Sequence, residues 1–435
     1  MERTDFKERT VLKTPYIGGE PIKGTLVETI YRPDKAETMF AIWNGTSVRY
    51  EKSFPARDNE ALVPYHASNS LVRNRILLLP SAAEEYGTKD SLVADIRRFI
   101  HRYVSMGGLF ETISANYVLL TWLYDSFGTI PYLRVRGDFG SGKTRFLSVI
   151  GSLCFRSIFA SGASTVSPLF HLTHAIKGSL VIDEADFRNS DMSSALTKIL
   201  NNGNSKGFPV LRSEQVGKGK EFNPVAFDVF GPKIIATRGY YQDAALESRM
   251  ISEDMGRNRP RADIPLHLPE SFSLEAELLR NKLLMFRFKN LKRNAITQVT
   301  EGQLEPRINQ IFAPLLSLID NDSERSDIMD LIREYSHELS LDRSAHIEGH
   351  IIEVIKELWT GEALPLRAIT DKLNEKYRAD FQESVTGKRV GFSVRKLLNI
   401  RTRKRGGVFE ILPTEQDRLA LLFRRFGLEE AGASP

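Results

Sequence analysis

Along residues 25–31 and 38–43 the chain runs apolar or alternates apolar with polar, and Arg32-Pro33-Asp34-Lys35 between them has the composition of a turn. Asn44-Gly45 signals a tight turn into 47–50. These spacings predict a small antiparallel, β-rich module over 1–80. Residues 81–89 are polar and read as a linker. The period then changes. Apolar positions recur every three to four residues over 91–105 and 110–127, which predicts two helices separated by Met106-Gly107-Gly108. Tyr117, Leu120, Trp122 and Tyr124 give the second helix bulky surface for packing. From 130 to 255 strand-like and helix-like stretches alternate, the mark of a parallel sheet with crossover helices. Its strands are expected at 132–136, 157–160, 178–184 and 232–237. Before the last of them, 207–216 and 221–230 read as a β-hairpin around a flexible basic tip, Gly217-Lys218-Gly219-Lys220.

The second half is helical at first. Residues 274–290 are strongly periodic, and Arg280 and Arg287 on that stretch are expected to face solvent. Another helix opens at Glu305-Pro306, with proline near its start. Helical patterns follow at 345–359, 366–377 and 386–398, and 400–412 reads as two strands around Gly406-Gly407. Three helices and a β-hairpin predict a winged helix over 341–413, followed by a helix and tail at 414–435.

Composition narrows this picture only a little. The chain has 435 residues, 41% hydrophobic and 26% charged, in the range of an ordinary globular protein with two or three cores. No stretch is apolar for the length of a membrane span, and the charged opening Met1-Glu2-Arg3 is unlike a secretory leader. The single cysteine, Cys154, lies in an apolar helical pattern and can form neither an internal disulfide nor a zinc cluster. A cytoplasmic setting is expected. The net charge of +5 says little, but its distribution says more. From Ser384 to Phe409 there is no acidic residue, while Lys388, Arg389, Arg395, Lys396, Arg401, Arg403, Lys404 and Arg405 are basic. A patch concentrated on a recognition helix and wing is the electrostatic footprint of nucleic-acid binding.

The most specific chemistry lies at Gly137-Asp138-Phe139-Gly140-Ser141-Gly142-Lys143-Thr144, which fits the phosphate-binding loop G-x-x-x-x-G-K-[ST]. A strand pattern precedes it and a helical one begins at Arg145, the setting the motif requires. Glycines let backbone N–H groups wrap a phosphate chain, and the helix N-terminus adds its dipole. Lys143 is expected at the β- and γ-phosphates of ATP, and the Thr144 hydroxyl on Mg²⁺. The apolar strand at 178–184 ends in Asp183 and Glu184, a Walker B arrangement. Asp183 would hold Mg²⁺ through water, and Glu184 would orient or deprotonate the attacking water. Asp183-Glu184-Ala185-Asp186 spells DEAD, but no downstream arginine motif of a second helicase domain accompanies it.

Further on, the strand at 232–237 ends in Thr237-Arg238, and Leu246-Glu247-Ser248-Arg249 follows on an expected short helix. The order P-loop, Walker B, basic hairpin, polar-ended strand and Leu-x-Ser-Arg resembles the AAA+ ATPases that insert a β-hairpin before sensor 1. Minichromosome-maintenance-type helicases and their relatives in bacterial mobile elements or phages are similar to it over roughly 130–320. The resemblance implies an α/β P-loop NTPase core of the AAA+ class over 130–255, bracing helices at 81–129 and a helical lid at 256–340. The N-terminal module would be an accessory domain. It makes Arg249 an arginine finger acting on a neighbouring subunit's ATP, Thr237 the sensor (Asn is commoner there) and Arg307 a sensor 2 arginine. It puts Lys218 and Lys220 in the channel of a ring, expected to be a hexamer, against DNA phosphates. Three functions are then in contention. They are an ATP-driven helicase or translocase on single-stranded or forked DNA, an initiator or loader that switches with ATP, and a protein remodeller. A primase or other replication protein is a possible partner of the first two. The basic rather than aromatic hairpin tip favours DNA as the object of the work.

Overall fold

The computed structural model describes residues 12–57, 60–161, 166–183, 185, 190–215, 222–239, 241, 243–256, 261–291, 306–344, 347–377 and 384–428. The chain divides into two compact units, Met1–Glu301 with Asn309–Ile328, and Gly302–Ile308 with Met329–Pro435. Among the described residues no helix is long and apolar enough to cross a membrane.

The larger unit opens with seven short strands: β1 (Leu12–Tyr16), β2 (Gly18–Ile22), β3 (Thr25–Arg32), β4 (Glu37–Trp43), β5 (Val48–Glu51), β6 (Phe54–Arg57) and β7 (Glu60–Pro64). Strands β2 to β5 form an antiparallel meander, as the turn signals predict. The module is not wholly antiparallel, however, because β1 runs parallel to β7. A parallel pair needs a long connection, and here the whole meander supplies it. Helices α1 (Ser70–Arg73), α2 (Lys89–Tyr103) and α3 (Gly108–Leu123) follow. Tyr117, Leu120 and Trp122 of α3 are fully buried, so their bulk is packing.

Next come β8 (Tyr132–Arg136), α4 (Lys143–Gly151), β9 (Ile158–Ser161), α5 (Val166–Ile176), β10 (Leu180–Asp183) and α6 (Ser190–Asn202). The hairpin β11 (Val210–Gln215) and β12 (Phe222–Phe227) precedes β13 (Lys233–Thr237), α7 (Ala244–Glu247) and β14 (Met250–Asp254). The central sheet has the order β14-β8-β13-β10-β9, with every pair parallel. The fold is thus mixed α/β around a parallel sheet. Hairpin β11-β12 stands apart from that sheet as an antiparallel pair. Helices α8 (Ser271–Asn290), α9 (Pro306–Leu316) and α10 (Asp322–Ser344) come after it.

Two expectations about surface position are overturned here. Arg280 and Arg287 of α8 do not face solvent; they are 6% and 2% exposed. Helical periodicity places a residue on a face, but cannot tell which faces other elements will cover. Arg287 donates to Glu28 of β3 at 2.9 Å and to both carboxylate oxygens of Asp125 at 2.8 and 2.6 Å. Glu28 also accepts from Arg156 at 2.5 Å, and both guanidiniums lie over the Phe155 ring. Burial opposes charge on Arg287, yet Asp125 and Glu28 outweigh it and hold its pKa above the ordinary value. The 81–89 stretch is also tied down. The side chain of Asn281 accepts from the backbone N–H groups of Ser81 and Ala82, and its carbonyl from that of Glu84.

The smaller unit contains α11 (Ile347–Leu358), β15 (Leu364–Pro365), α12 (Leu366–Lys376), α13 (Gly387–Phe392), β16 (Thr402–Arg405), β17 (Val408–Ile411) and α14 (Gln416–Arg425). Helix α13 continues into a π-helical turn at Ser393–Leu397. The three strands pair in the order β15-β17-β16. Ile351, Ile355, Ile369, Val390, Val394 and Ile411 centre its core.

Glu28 is the one carboxylate that both Arg156 and Arg287 share among their described ion pairs. Substituting Glu28→Gln leaves two buried guanidiniums undercompensated, and is expected to cost about 3–5 kcal/mol. Urea unfolding of the larger unit measures this. Glu28→Gln combined with Arg287→Met should recover part of the loss.

Candidate active site

Strand β8 feeds the P-loop from between β14 and β13, where all five of its residues are buried. Gly137, Gly140 and Gly142 have φ values of +152°, +78° and +95°. A side chain at Gly137 would also collide with the Met255 carbonyl, 2.5 Å from its Cβ position. The motif's glycines are therefore steric requirements here. The loop closes onto α4, whose first residue is Lys143. Lys143 Nζ donates to the loop's own carbonyls, Gly137 O at 2.6 Å and Asp138 O at 2.7 Å. Gly137 N is held by the carbonyl of Thr237, 3.2 Å away on β13.

Across the sheet, the Thr144 hydroxyl donates to Asp183 Oδ2 at 2.8 Å. Only β13 separates β8 from β10, so the chain end of one and the acid end of the other lie side by side. A hydroxyl, a carboxylate and an ammonium converge on a helix N-terminus. That donor set fits a phosphate chain with a hard divalent cation. Glu184 lies outside the described residues. Asp138, Phe139 and Gly140 form the exposed crest of the loop, with Phe139 96% exposed. Arg145 grips a neighbouring loop, donating to Pro265 O at 3.2 Å and Leu266 O at 2.6 Å. The Thr237 hydroxyl is buried and donates to Gly239 O at 2.9 Å, while Arg238 is exposed.

Arg249 is placed differently from the expected short helix. It sits in the turn between α7 and β14. Its carbonyl accepts from Tyr132 N at 2.9 Å, at the start of β8. The P-loop leaves the other end of β8, after Arg136. Four residue steps along a strand, about 3.3 Å each, separate the two positions by roughly 13 Å. Arg249 Nε donates to Asn204 Oδ1 and Nη1 to Asn201 Oδ1, both at 3.1 Å.

Several residues that set this frame were not read from sequence. Arg134, fully buried in β8, forms a bidentate pair with Glu247 of α7 at 2.7 and 2.6 Å and donates to Ser252 at 2.9 Å. Arg136 pairs with Asp254 at 2.8 Å. These contacts fasten α7, the Arg249 turn and β14 to the P-loop strand. The signal was available in Tyr132-Leu133-Arg134-Val135-Arg136, because charges inside a buried parallel strand demand partners. Lys233, fully buried on β13, donates to the carbonyls of Gly203, Val229 and Gly231 at 3.1, 2.6 and 2.8 Å. It thereby fixes the end of α6 beside Asn204. Burial pulls its pKa down to about 7, against an opposing pull from Asp228.

The residues expected to meet nucleic acid fall in two places. Lys218 and Lys220 lie outside the described residues, between the ends of β11 and β12. The side chain of Arg307, the expected sensor 2 arginine, also lies outside them. Lys388, Arg389, Arg395, Lys396, Arg401, Arg403, Lys404 and Arg405 are all exposed, on α13, its π-helical turn, the segment before β16 and the β16-β17 hairpin.

No family model matches the chain, and no curated protein does. Among solved structures it is similar to the C-terminal region of NrS-1 in its A-form apo structure. The identity is 11%, with 90% of this chain and 96% of that one covered and a TM-score of 0.37. A structure described as the active helicase Cch of SCCmec type IV is 12% identical, with 94% and 80% covered and a TM-score of 0.41. Inhibitor-bound JCV helicase is 15% identical, with 59% and 61% covered and a TM-score of 0.24. Likenesses this faint carry no argument about this chain.

Lys233 also makes a pH-dependence that equilibrium unfolding detects. The native state releases its proton near pH 7, whereas the unfolded chain keeps it to about 10.5, the ordinary lysine value. Between those values the unfolded state binds more protons, so raising the pH favours the native state. Stability of the larger unit should rise from pH 7 toward 10 with a component that Lys233→Met removes.

Proposed function

We propose that this chain is an ATP-driven DNA helicase or translocase of the AAA+ type that works as an oligomeric ring, a hexamer. One observation carries the reading. The sheet that brings Thr144 against Asp183 holds Arg249 at the opposite end of the same strands. A nucleotide on the P-loop would lie far from this chain's own Arg249. That supports a site shared between subunits.

Within such a site Lys143 binds the β- and γ-phosphates, and the P-loop amides with the α4 N-terminus surround them. Thr144 and Asp183 hold Mg²⁺, which when bound offsets the phosphate charge. Glu184 orients the attacking water and takes its proton. Arg249 from the adjacent subunit steadies charge on the transferred group, and Thr237 senses the nucleotide's state. The hairpin β11-β12 carries Lys218 and Lys220 at its tip to DNA phosphates in the channel. The smaller unit reads as a winged helix that adds a second DNA contact. Its element order of helix, short strand, two helices and hairpin supports this, as does the exposure of all eight cations.

Lys143→Ala is expected to abolish ATP hydrolysis and strand displacement on forked DNA. Glu184→Gln should bind ATP without turning it over. Arg249→Ala should reduce turnover by about 10³-fold or more. Mixing inactive Arg249→Ala with inactive Lys143→Ala should restore hydrolysis, because some interfaces then join an intact P-loop to an intact Arg249. No recovery on mixing would place Arg249 outside a shared site. Hydrolysis stimulated by DNA without strand displacement would favour an initiator or loader over a helicase.

A further inference from the structure

The cationic face of the smaller unit is not uniformly charged. Phe392 and Leu397 are 55% and 53% exposed on α13 and its π-helical turn, and Val408 and Phe409 are 40% and 39% exposed on the hairpin. Phosphate contacts come from cations and other polar donors and make no use of exposed apolar side chains. Four exposed large apolar side chains among eight cations call for another partner group. Phe409 is the best placed of them. It pairs with Lys404 across the hairpin, on the same face as buried Ile411, so it lies in the notch where the hairpin meets α13. Arg395 from the π-helical turn lies over its ring at 4.8 Å, and Lys404 Nζ is 5.8 Å from the ring centroid. A base that stacks on the ring exchanges one of these cation–π contacts for a stack and frees that cation for the adjoining phosphate.

We propose that Phe409 is a stacking platform for an unpaired DNA base, with Arg395 and Lys404 on the same face holding the adjoining phosphates. This rests on the reading of the unit as DNA-binding and names the form of DNA it takes. In a closed duplex the base faces are stacked on one another and hidden. Only a single strand, or the open arm of a fork, offers a face to Phe409. The unit therefore binds opened DNA in preference to closed duplex.

The test uses the full chain carrying Lys218→Ala and Lys220→Ala, so that the β11-β12 hairpin does not mask the smaller unit. The probes are an oligo(dT) strand containing one 2-aminopurine and a closed duplex of equal length. Phe409→Ala should weaken single-strand binding by about 5- to 150-fold, the span of one base–aromatic stack. It should leave duplex affinity and the slope of log affinity against log salt unchanged, and abolish the 2-aminopurine quench. Phe409→Trp should keep the quench and the affinity. Equal losses on single strand and duplex, or no loss on either, would overturn the stacking role. Joint reversal of Arg395 and Lys404 to Glu separates the two levels. If it weakens binding while Phe409→Ala does nothing, only the stacking role falls. If it leaves both affinities intact, the DNA reading of this unit fails with it.

Discussion

A buried cation must be met by a carboxylate or by backbone carbonyls, since an unmet one costs several kcal/mol. The larger unit is arranged around five such groups. Arg134 is met by Glu247, Arg287 by Glu28 and Asp125, and Arg156 by Glu28. Arg280 is met by the carbonyls of Leu79 and Ser152, and Lys233 by three carbonyls at the end of α6 and before β13. Each pairing joins segments that no hydrophobic contact would place so closely, because apolar packing tolerates sliding and a bidentate ion pair does not. The N-terminal meander, α8, α7 and the α6 terminus are all positioned in this way.

The same constraint gives the candidate site its geometry. Arg134 and Arg136 alternate along β8 with apolar residues, and each holds a residue near one end of the neighbouring segment α7–β14. Those attachments hold two chemistries at opposite ends of one rigid layer. The P-loop groups gather where the strands end, and the Arg249 turn lies where β8 begins. Under the proposed function, a site divided in this way would make turnover report assembly as well as nucleotide.

Much of the secondary structure was legible because it rests on local spacing. The glycines around Lys143, the apolar run into Asp183 and the Gly406-Gly407 turn each constrain a few adjacent residues. The helix and hairpin order of the smaller unit was readable for the same reason. Tertiary burial was not. Arg280 and Arg287 sit on a helix whose outer face, judged locally, would be wet. Their cover comes from Leu79 and Glu28, about 200 and 259 positions away in sequence. The parallel pairing of β1 with β7 was missed because alternation identifies a strand and not its neighbour. The pairing of Arg134 with Glu247 was likewise invisible, although two arginines in a buried strand announced that some partner existed.

The 259 positions between Glu28 and Arg287 also set an order of events during synthesis. The meander carrying Glu28 leaves the ribosome first, and at 5–20 residues per second Arg287 is made roughly 13–50 s later. Through that interval Glu28 has neither of its guanidinium partners for much of the time, since Arg156 itself comes 128 positions after it. The meander therefore reaches its final electrostatic state only after α8 has been made. Until α8 arrives, the nascent meander is left as a waiting template for it.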